Sequence, residues 1–309
     1  MSDSIAIRIE NLSKVFGRGK KRVEAVKNIN LEIRSGQVYG FLGPNGAGKT
    51  TTIRMLLDLI RPTTGKVSLF NQDVRREPQT LRRVGALVEG ATFYPFLTGR
   101  RNLEVLARTS DCYDPARINR LLAQMDMADR RVNGYSTGMK QRLGVAGALL
   151  SDPDLVILDE PTNGLDPAGI QEMRVFIRDL VDKQGKTVFL SSHLLSEVEQ
   201  VCDRVAIINH GEIIREGTVA ELLSSKAQLR VEAVPLDKVV TALAGNWTVV
   251  PNGVSVTIDA TRNDVPHIVR KLVEHGVDIY QVADQRQTLE EYFLSVTQTE
   301  VEHGEPVSR

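Results

Sequence analysis

Cysteine is nearly absent: Cys112 and Cys202 are the only two in 309 residues. They stand far apart and in no metal-ligand spacing. That excludes a disulfide framework and a thiolate metal centre, and leaves reduced thiols in a reducing compartment as the expectation. Long apolar runs are missing too. None approaches the ~18 residues that cross a bilayer, and Met1-Ser-Asp-Ser-Ile-Ala-Ile-Arg8 has no apolar stretch of the secretory kind. Any membrane role is therefore expected to come through a partner chain. Neither sign of charge is in excess, with 39 Lys plus Arg against 39 Asp plus Glu. This balance argues against a general nucleic-acid binder. The one dense basic run, Arg18-Gly-Lys-Lys-Arg22, stands between two strand-like segments. It reads as a solvated hairpin loop, with a polyanion or localisation site as the alternative. Internal repeats, low-complexity tracts and sustained heptads do not occur. The composition is that of a globular protein, 41% hydrophobic with a mean hydropathy of −0.17. The length exceeds one ordinary core, so two domains are expected.

Against this background one motif is complete. Gly43, Pro44, Asn45, Gly46, Ala47, Gly48, Lys49 and Thr50 form a phosphate-binding loop of the pattern G-x-x-x-x-G-K-[ST]. Its glycines let successive N–H groups turn into one cavity that suits a triphosphate. Lys49 supplies a charge for the β- and γ-phosphates, and the Thr50 hydroxyl can ligate Mg²⁺. Residues 37–42 before the loop read as a strand. Residues 51–60 after it, starting with Thr51, read as a helix whose N-terminal dipole favours an anion.

The rest of the first half alternates strands with helices. Ile5, Ile7 and Ile9 alternate as in a half-buried strand. The apolar runs at 155–158, 187–190 and 205–208 suit strands buried on both faces of a parallel sheet, and 169–183 reads as a helix between them. An α/β layered fold follows. Residues 97–150 are helical instead, with helices expected at 119–125 and 139–150, and form a helical subdomain within the α/β body. Beyond residue 223 the order becomes strand 229–233, helix 236–243, strands 247–250 and 254–258 around Pro251-Asn-Gly253, then a helix, a strand 277–282 and a helix 289–296. The middle helix presents Val265, Ile268, Val269, Leu272 and Val273 on one face. This βαββαβ order is ferredoxin-like. The expected domains are 1–223, with its helical subdomain at 97–150, and a small α+β domain at 224–309.

A phosphate loop alone fits a kinase, a GTPase or a motor. Leu155-Val-Ile-Leu-Asp-Glu160 narrows the choice, because an apolar strand delivers two carboxylates to the edge where open α/β sheets hold ligands. Asp159 can hold Mg²⁺ directly or through water. Glu160 can polarise the water that attacks a γ-phosphate.

Tyr135-Ser-Thr-Gly-Met-Lys-Gln-Arg142, just upstream, resembles the Leu-Ser-Gly-Gly-Gln signature of ATP-binding-cassette (ABC) ATPases. Gly164-Leu-Asp-Pro167 resembles that family's D-loop, His193 after Leu190-Ser-Ser its switch histidine, and Phe16 its adenine-stacking aromatic. The resemblance implies a P-loop NTPase fold of the ABC type and ATP hydrolysis with Mg²⁺. It also implies a homodimer in which two cassettes sandwich two ATP molecules head to tail. The Ser136 side chain and Gly138 N–H, at the start of a helix, would complete each site in trans, with Asp166 of the D-loop beside them. Catalysis would rest on Lys49, Glu160 and His193; Thr50, Glu89 and Asp159 would hold the metal.

Three departures refine the resemblance. Glu89 occupies the position of a usual Gln, and a carboxylate is the stronger Mg²⁺ ligand yet repels a γ-phosphate. With Phe93-Tyr-Pro-Phe-Leu-Thr98 behind it, this variant is similar to the ATPases of bacitracin- and lantibiotic-resistance exporters. Thr137 and Met139 replace a Gly and a Gln of the signature. Of the eight Phe and six Tyr residues, Phe93, Tyr94 and Phe96 fall within four positions, where the family receives a coupling helix from its membrane subunit. Residues 288–297 resemble the closing helix of drug-exporter ATPases. The implied protein is a cytoplasmic ATPase, peripheral on the inner face of the cell membrane, paired with integral-membrane permease subunits and powering efflux of a peptide antibiotic, drug or lipid-like molecule. The competing functions are a soluble ABC ATPase, which usually carries twin cassettes or a coiled-coil insertion, and an ATP-gated dimerising regulator without turnover.

Overall fold

The computed structural model describes residues 4–90, 92–124, 130–223, 228–285 and 288–293. The chain divides into two compact units, Met1–Val219 and Ala220–Arg309. The first unit runs β1 (Ile5–Phe16), β2 (Val23–Arg34), β3 (Val38–Leu42), α1 (Lys49–Leu56), β4 (Thr64–Leu69), β5 (Gln72–Asp73) and β6 (Val84–Leu87). Three helices follow, α2 (Gly99–Thr109), α3 (Pro115–Gln124) and α4 (Thr137–Ala148). Then come β7 (Leu155–Asp159), α5 (Pro167–Asp182), β8 (Thr187–Ser192), α6 (Leu195–Val201), β9 (Arg204–Asn209) and β10 (Glu212–Thr218); α7 (Val219–Leu223) carries the chain across the boundary into the second unit.

The strands form two sheets. One has the order β2-β1-β4-β5 and is antiparallel; the other has the order β10-β9-β3-β8-β7-β6. In the second sheet β9, β3, β8, β7 and β6 are parallel and only β10 pairs antiparallel. The apolar runs at 155–158 and 187–190 lie wholly within buried strands, as strands covered on both faces require. Residues of both sheets share one core, in which Tyr39 stacks on Phe189. Gly85 interrupts β6 for a steric reason. A Cβ there would lie 1.9 Å from the Ala148 carbonyl oxygen, so α4 can approach the sheet only over a glycine.

Several expected boundaries move. The helix after the phosphate loop begins at Lys49 and stops at Leu56, short of residue 60. Asp58 adopts a left-handed φ of 53°, Leu59 N–H donates to Arg54 O at 2.9 Å and Asp58 N–H to Met55 O at 3.2 Å. These are the two bonds of a Schellman stop, made here without the usual glycine. The helix expected at 119–125 begins earlier, at Pro115; Met125 lies outside the described residues. The segment at 139–150 is helical from Thr137, because the Ser136 side chain caps it by accepting from Met139 N–H at 3.2 Å. The basic run closes the β1–β2 hairpin, with Gly19–Lys21 in a 3-10 turn and Arg22 paired to Glu24.

The second unit comprises β11 (Gln228–Val234), α8 (Leu236–Leu243), β12 (Val249–Asn252), β13 (Ser255–Asp259), α9 (Val265–Glu274) and β14 (Asp278–Gln285). Its strands lie in the order β12-β13-β11-β14, each pair antiparallel. The β12–β13 turn is tighter than the sequence implied. Pro251 and Asn252 pair with Val256 and Ser255 inside the ladder, leaving Gly253 and Val254 as the turn. Pro251 is tolerated because β12 is an edge strand. The buried face of α9 is narrower than five residues: Ile268 and Leu272 are fully buried, whereas Val273 is 62% exposed. Residues 289–293 are helical; the rest of the expected closing helix, 294–296, lies outside the described residues.

Candidate functional site

The parallel register brings the chemistry together. Leu42 lies beside Ser192, and Asp159 beside Ser191, so β3, β8 and β7 end at one edge. The phosphate loop leaves β3 at that edge. Gly46 and Gly48 hold φ of 82° and 109°. A Cβ on Gly43 would lie 2.2 Å from Ile208 O, and one on Gly48 2.4 Å from Ala25 O. Pro44, Asn45 and Gly46 are exposed, Ala47 and Gly48 are buried, and Thr51 is half-buried in the first turn of α1.

Lys49 is 6% exposed, and its ammonium has three partners. It donates to Gly43 O at 2.7 Å and Pro44 O at 3.3 Å, and lies 3.3 Å from Glu160 Oε1. Thr50 Oγ1 donates to Asp159 Oδ2 at 2.9 Å, and the Ser191 hydroxyl donates to Asp159 Oδ1. A hydroxyl and a buried carboxylate on one spot are hard oxygen donors of the kind Mg²⁺ takes. Among the described residues no three His, Cys, Asp or Glu side chains cluster as a metal-binding group. Glu160, at φ 51°, is held from several sides. Its N–H donates to Ser191 O at 3.2 Å and Oγ at 3.1 Å, and Gln141 Nε2 donates to its carbonyl at 3.2 Å. His193 Nδ1 lies 2.7 Å from its Oε2. The structure thus joins Lys49, Thr50, Asp159, Glu160 and His193 in one network.

Ser191 and Gln141 belong to this network and were not anticipated. Ser191 had a signal, since it stands two residues before His193 on an apolar strand. Gln141 had none.

Other expected residues stand apart. Glu89 pairs with Arg54, its Oε1 2.5 Å from Nη2. Phe16 ends β1 at 41% exposure, with the Lys14 ammonium 4.9 Å from its ring centroid. Ser136 and Gly138 start α4, where Thr137 and Gly138 pack against Gly164 and Leu165. A Cβ on Gly138 would lie 3.0 Å from Leu165 Cδ2, and one on Gly164 2.9 Å from Thr137 Cγ2. The substituted Thr137 therefore packs its methyl on Gly164. Asp166 caps α5 by accepting from Gly169 N–H at 2.9 Å.

Beside the site, a groove of about 700 Å³ is lined by residues that include Leu81, Arg82, Val88, Gly90, Phe93 and Cys112. Partial burial pushes the Cys112 thiol above its ordinary pKa. Tyr94 and Phe96 are 53% and 64% exposed with rings 5.8 Å apart. Buried Asn102 pins their loop, accepting from Tyr94 N–H at 2.8 Å and donating to Tyr94 O at 3.1 Å and Thr98 O at 3.0 Å.

The chain is similar to known proteins over most of its length. The family profile described as ABC transporter matches residues 26–163. The bacitracin transport ATP-binding protein BcrA of Bacillus licheniformis is 38% identical over 304 residues, covering 95% of this chain and 97% of that protein. The daunorubicin resistance ATP-binding protein DrrA3 of Streptomyces coeruleorubidus is 36% identical over 314 residues, covering 96% and 97%. Among solved structures, a dimeric post-hydrolysis state of the ATP-binding cassette MJ0796 bound to ADP and Pi superposes with a TM-score of 0.63 at 26% identity. It matches 69% of this chain and 98% of that one.

Proposed function

The chain belongs to the ABC transporter family as an ATP-binding, ATP-hydrolysing subunit, and on that premise we propose that it drives an exporter for a peptide antibiotic or drug from the inner face of the membrane. The relatives named for bacitracin transport and daunorubicin resistance support that cargo class. Among the described residues no helix is long and apolar enough to cross a membrane; in this reading the permease is a separate integral-membrane partner. Its coupling segment docks in the groove beside Tyr94 and Phe96.

The observation that carries the mechanism is the pairing of Thr50 with Asp159 at 2.9 Å, flanked by Lys49 and Glu160. Thr50 and Asp159 would hold Mg²⁺, with Glu89 as a further ligand, and the ion would supply charge neutralisation for the triphosphate. Loop N–H groups and the α1 N-terminus receive the phosphates, and Phe16 stacks on the adenine. Lys49 exchanges the Gly43 and Pro44 carbonyls for phosphate oxygens and in doing so releases Glu160 Oε1. Glu160 then accepts a proton from the water that attacks the γ-phosphorus while the bond to ADP breaks. His193 orients Glu160 through their 2.7 Å contact and reaches the γ-phosphate. In a second copy, Ser136, Gly138 and Asp166 close over the same nucleotide, so ATP favours the closed pair and hydrolysis releases it.

Glu160→Gln is expected to slow hydrolysis by roughly 10²–10⁴-fold, the scale for loss of a positioned base, while ATP still binds. Steady-state phosphate release and size-exclusion chromatography with ATP check this. A persistent monomer would reject the sandwich. Slow turnover that the substitution leaves unaltered would instead mark an ATP-gated regulator.

A further inference from the structure

Glu89 is the one acidic residue of the proposed metal set that the structure places in an ion pair with arginine. In the β6–β7 register Leu87, the last residue of β6, lies beside Leu158, the residue before Asp159, so Glu89 leaves β6 at the edge where β7 delivers its carboxylates. Glu89 itself turns left-handed at φ 56°, followed by Gly90 at 77°. Its partner Arg54 stands four residues after Thr50 on α1, hence on the same helix face, one turn behind the hydroxyl that bonds Asp159. Arg54 is in the last turn of α1, where the helix dipole favours a cation. Both side chains are only partly covered, Arg54 at 37% and Glu89 at 57% exposure, so the pair is weak enough to exchange partners. Val88 and Gly90, on either side of Glu89, line the groove.

We propose that Arg54 is a positioning residue that carries the Glu89 carboxylate, offsets its negative charge while a triphosphate enters, and yields it to the divalent cation. The inference rests on the placement of Glu89 at the cation given above. An unpaired carboxylate at this edge would repel the phosphates, and Arg54 supplies the compensation that a glutamine there would not need.

The test is equilibrium ATP titration of the full chain, in EDTA and in Mg²⁺, with thermal denaturation as a control on folding. Arg54→Ala is expected to weaken metal-free ATP binding about two- to fivefold, the range of an exposed ion pair. Arg54/Glu89→Ala/Gln should restore it, and Arg54→Lys should stay near the parent. Glu89→Gln alone should narrow the gap between the Mg²⁺ and EDTA affinities. Loss that persists undiminished in the double variant, or an unchanged metal-free affinity in Arg54→Ala, would overturn the role of Arg54. Restoration in the double variant, with the Mg²⁺ gap unmoved by Glu89→Gln, would support the pair and overturn Glu89 as a metal ligand.

Discussion

Gly46 and Gly48 stand two residues apart in the phosphate loop, yet different constraints hold them. Gly46 has φ 82° with nothing within 4 Å of a built Cβ, so only backbone strain opposes a side chain. Gly48 has φ 109°, and its Cβ would strike Ala25 O at 2.4 Å. Gly46→Ala is therefore expected to destabilise by about 1 kcal/mol, and Gly48→Ala by about 3 kcal/mol, with loss of ATP binding. Urea denaturation of both variants, read with nucleotide titration, checks the difference; equal costs would mean that the loop shifts freely around Gly48. At this scale the sequence was most legible where spacing along the chain encodes the chemistry, as with Lys49, Thr50, Asp159, Glu160 and His193. The partners of Ser191, Gln141 and Arg54 were opaque because they come from other strands and helices, and sheet register is not written in linear spacing. Thr137 reads as a flaw in a signature until its methyl is seen on Gly164.

Between elements, the Asp152 carboxylate ties the helical segment to the sheet. Its Oδ1 accepts from Lys186 Nζ at 2.7 Å, just before β8, and from Arg117 Nη2 of α3 at 2.9 Å. Arg117 also donates to Leu149 O at the end of α4 at 2.8 Å. The Lys186 hydrogen bond, more than the neighbouring Arg117 charge, holds the Asp152 carboxyl below the usual carboxylate range. A depressed folded value means that the stabilisation is fully present above the unfolded value, near 4, and is lost as pH falls through the folded value. Asp152 has φ 53°, which asparagine tolerates, so Asp152→Asn removes charge and leaves the turn intact. Because its side chain is 64% exposed, the substitution is expected to cost only about 1 kcal/mol at neutral pH. That gap from the parent should stay constant from pH 7 to 5 and close below about pH 4, in denaturation curves run at each pH. A gap independent of pH would assign the effect to packing. The elements themselves were legible wherever periodicity ran long, as in the buried strands of the parallel sheet. Their ends were not. The stop at Leu56 depends on Asp58 entering a conformation that glycine usually signals, and the β12–β13 turn absorbs Pro251 because β12 has a free edge.

At the scale of the whole molecule, every residue proposed to touch nucleotide or metal lies in the unit Met1–Val219. That unit has its own apolar core, built on residues such as Tyr39, Phe41, Ile157 and Phe189. The unit from Ala220 onward has another, built on residues such as Val231, Val256, Ile268 and Leu272. Its βαββαβ order was legible because each element is short and regular, but no chemical motif accompanied it. Two separate cores predict that the parts can be separated. A chain ending at residue 223 is expected to fold and to bind ATP within about threefold of the full-length affinity, a difference well under one tenfold step in free energy. Equilibrium titration with ATP, alongside a cooperative thermal transition, decides it: a folded truncate that has lost ATP would mean that the second unit supports the nucleotide site itself. Adding Glu160→Gln to both lengths then isolates the role of the second unit. If the truncate binds ATP but no longer dimerises with it, that unit acts through assembly. If dimerisation survives and only turnover changes, it acts as a regulator of hydrolysis.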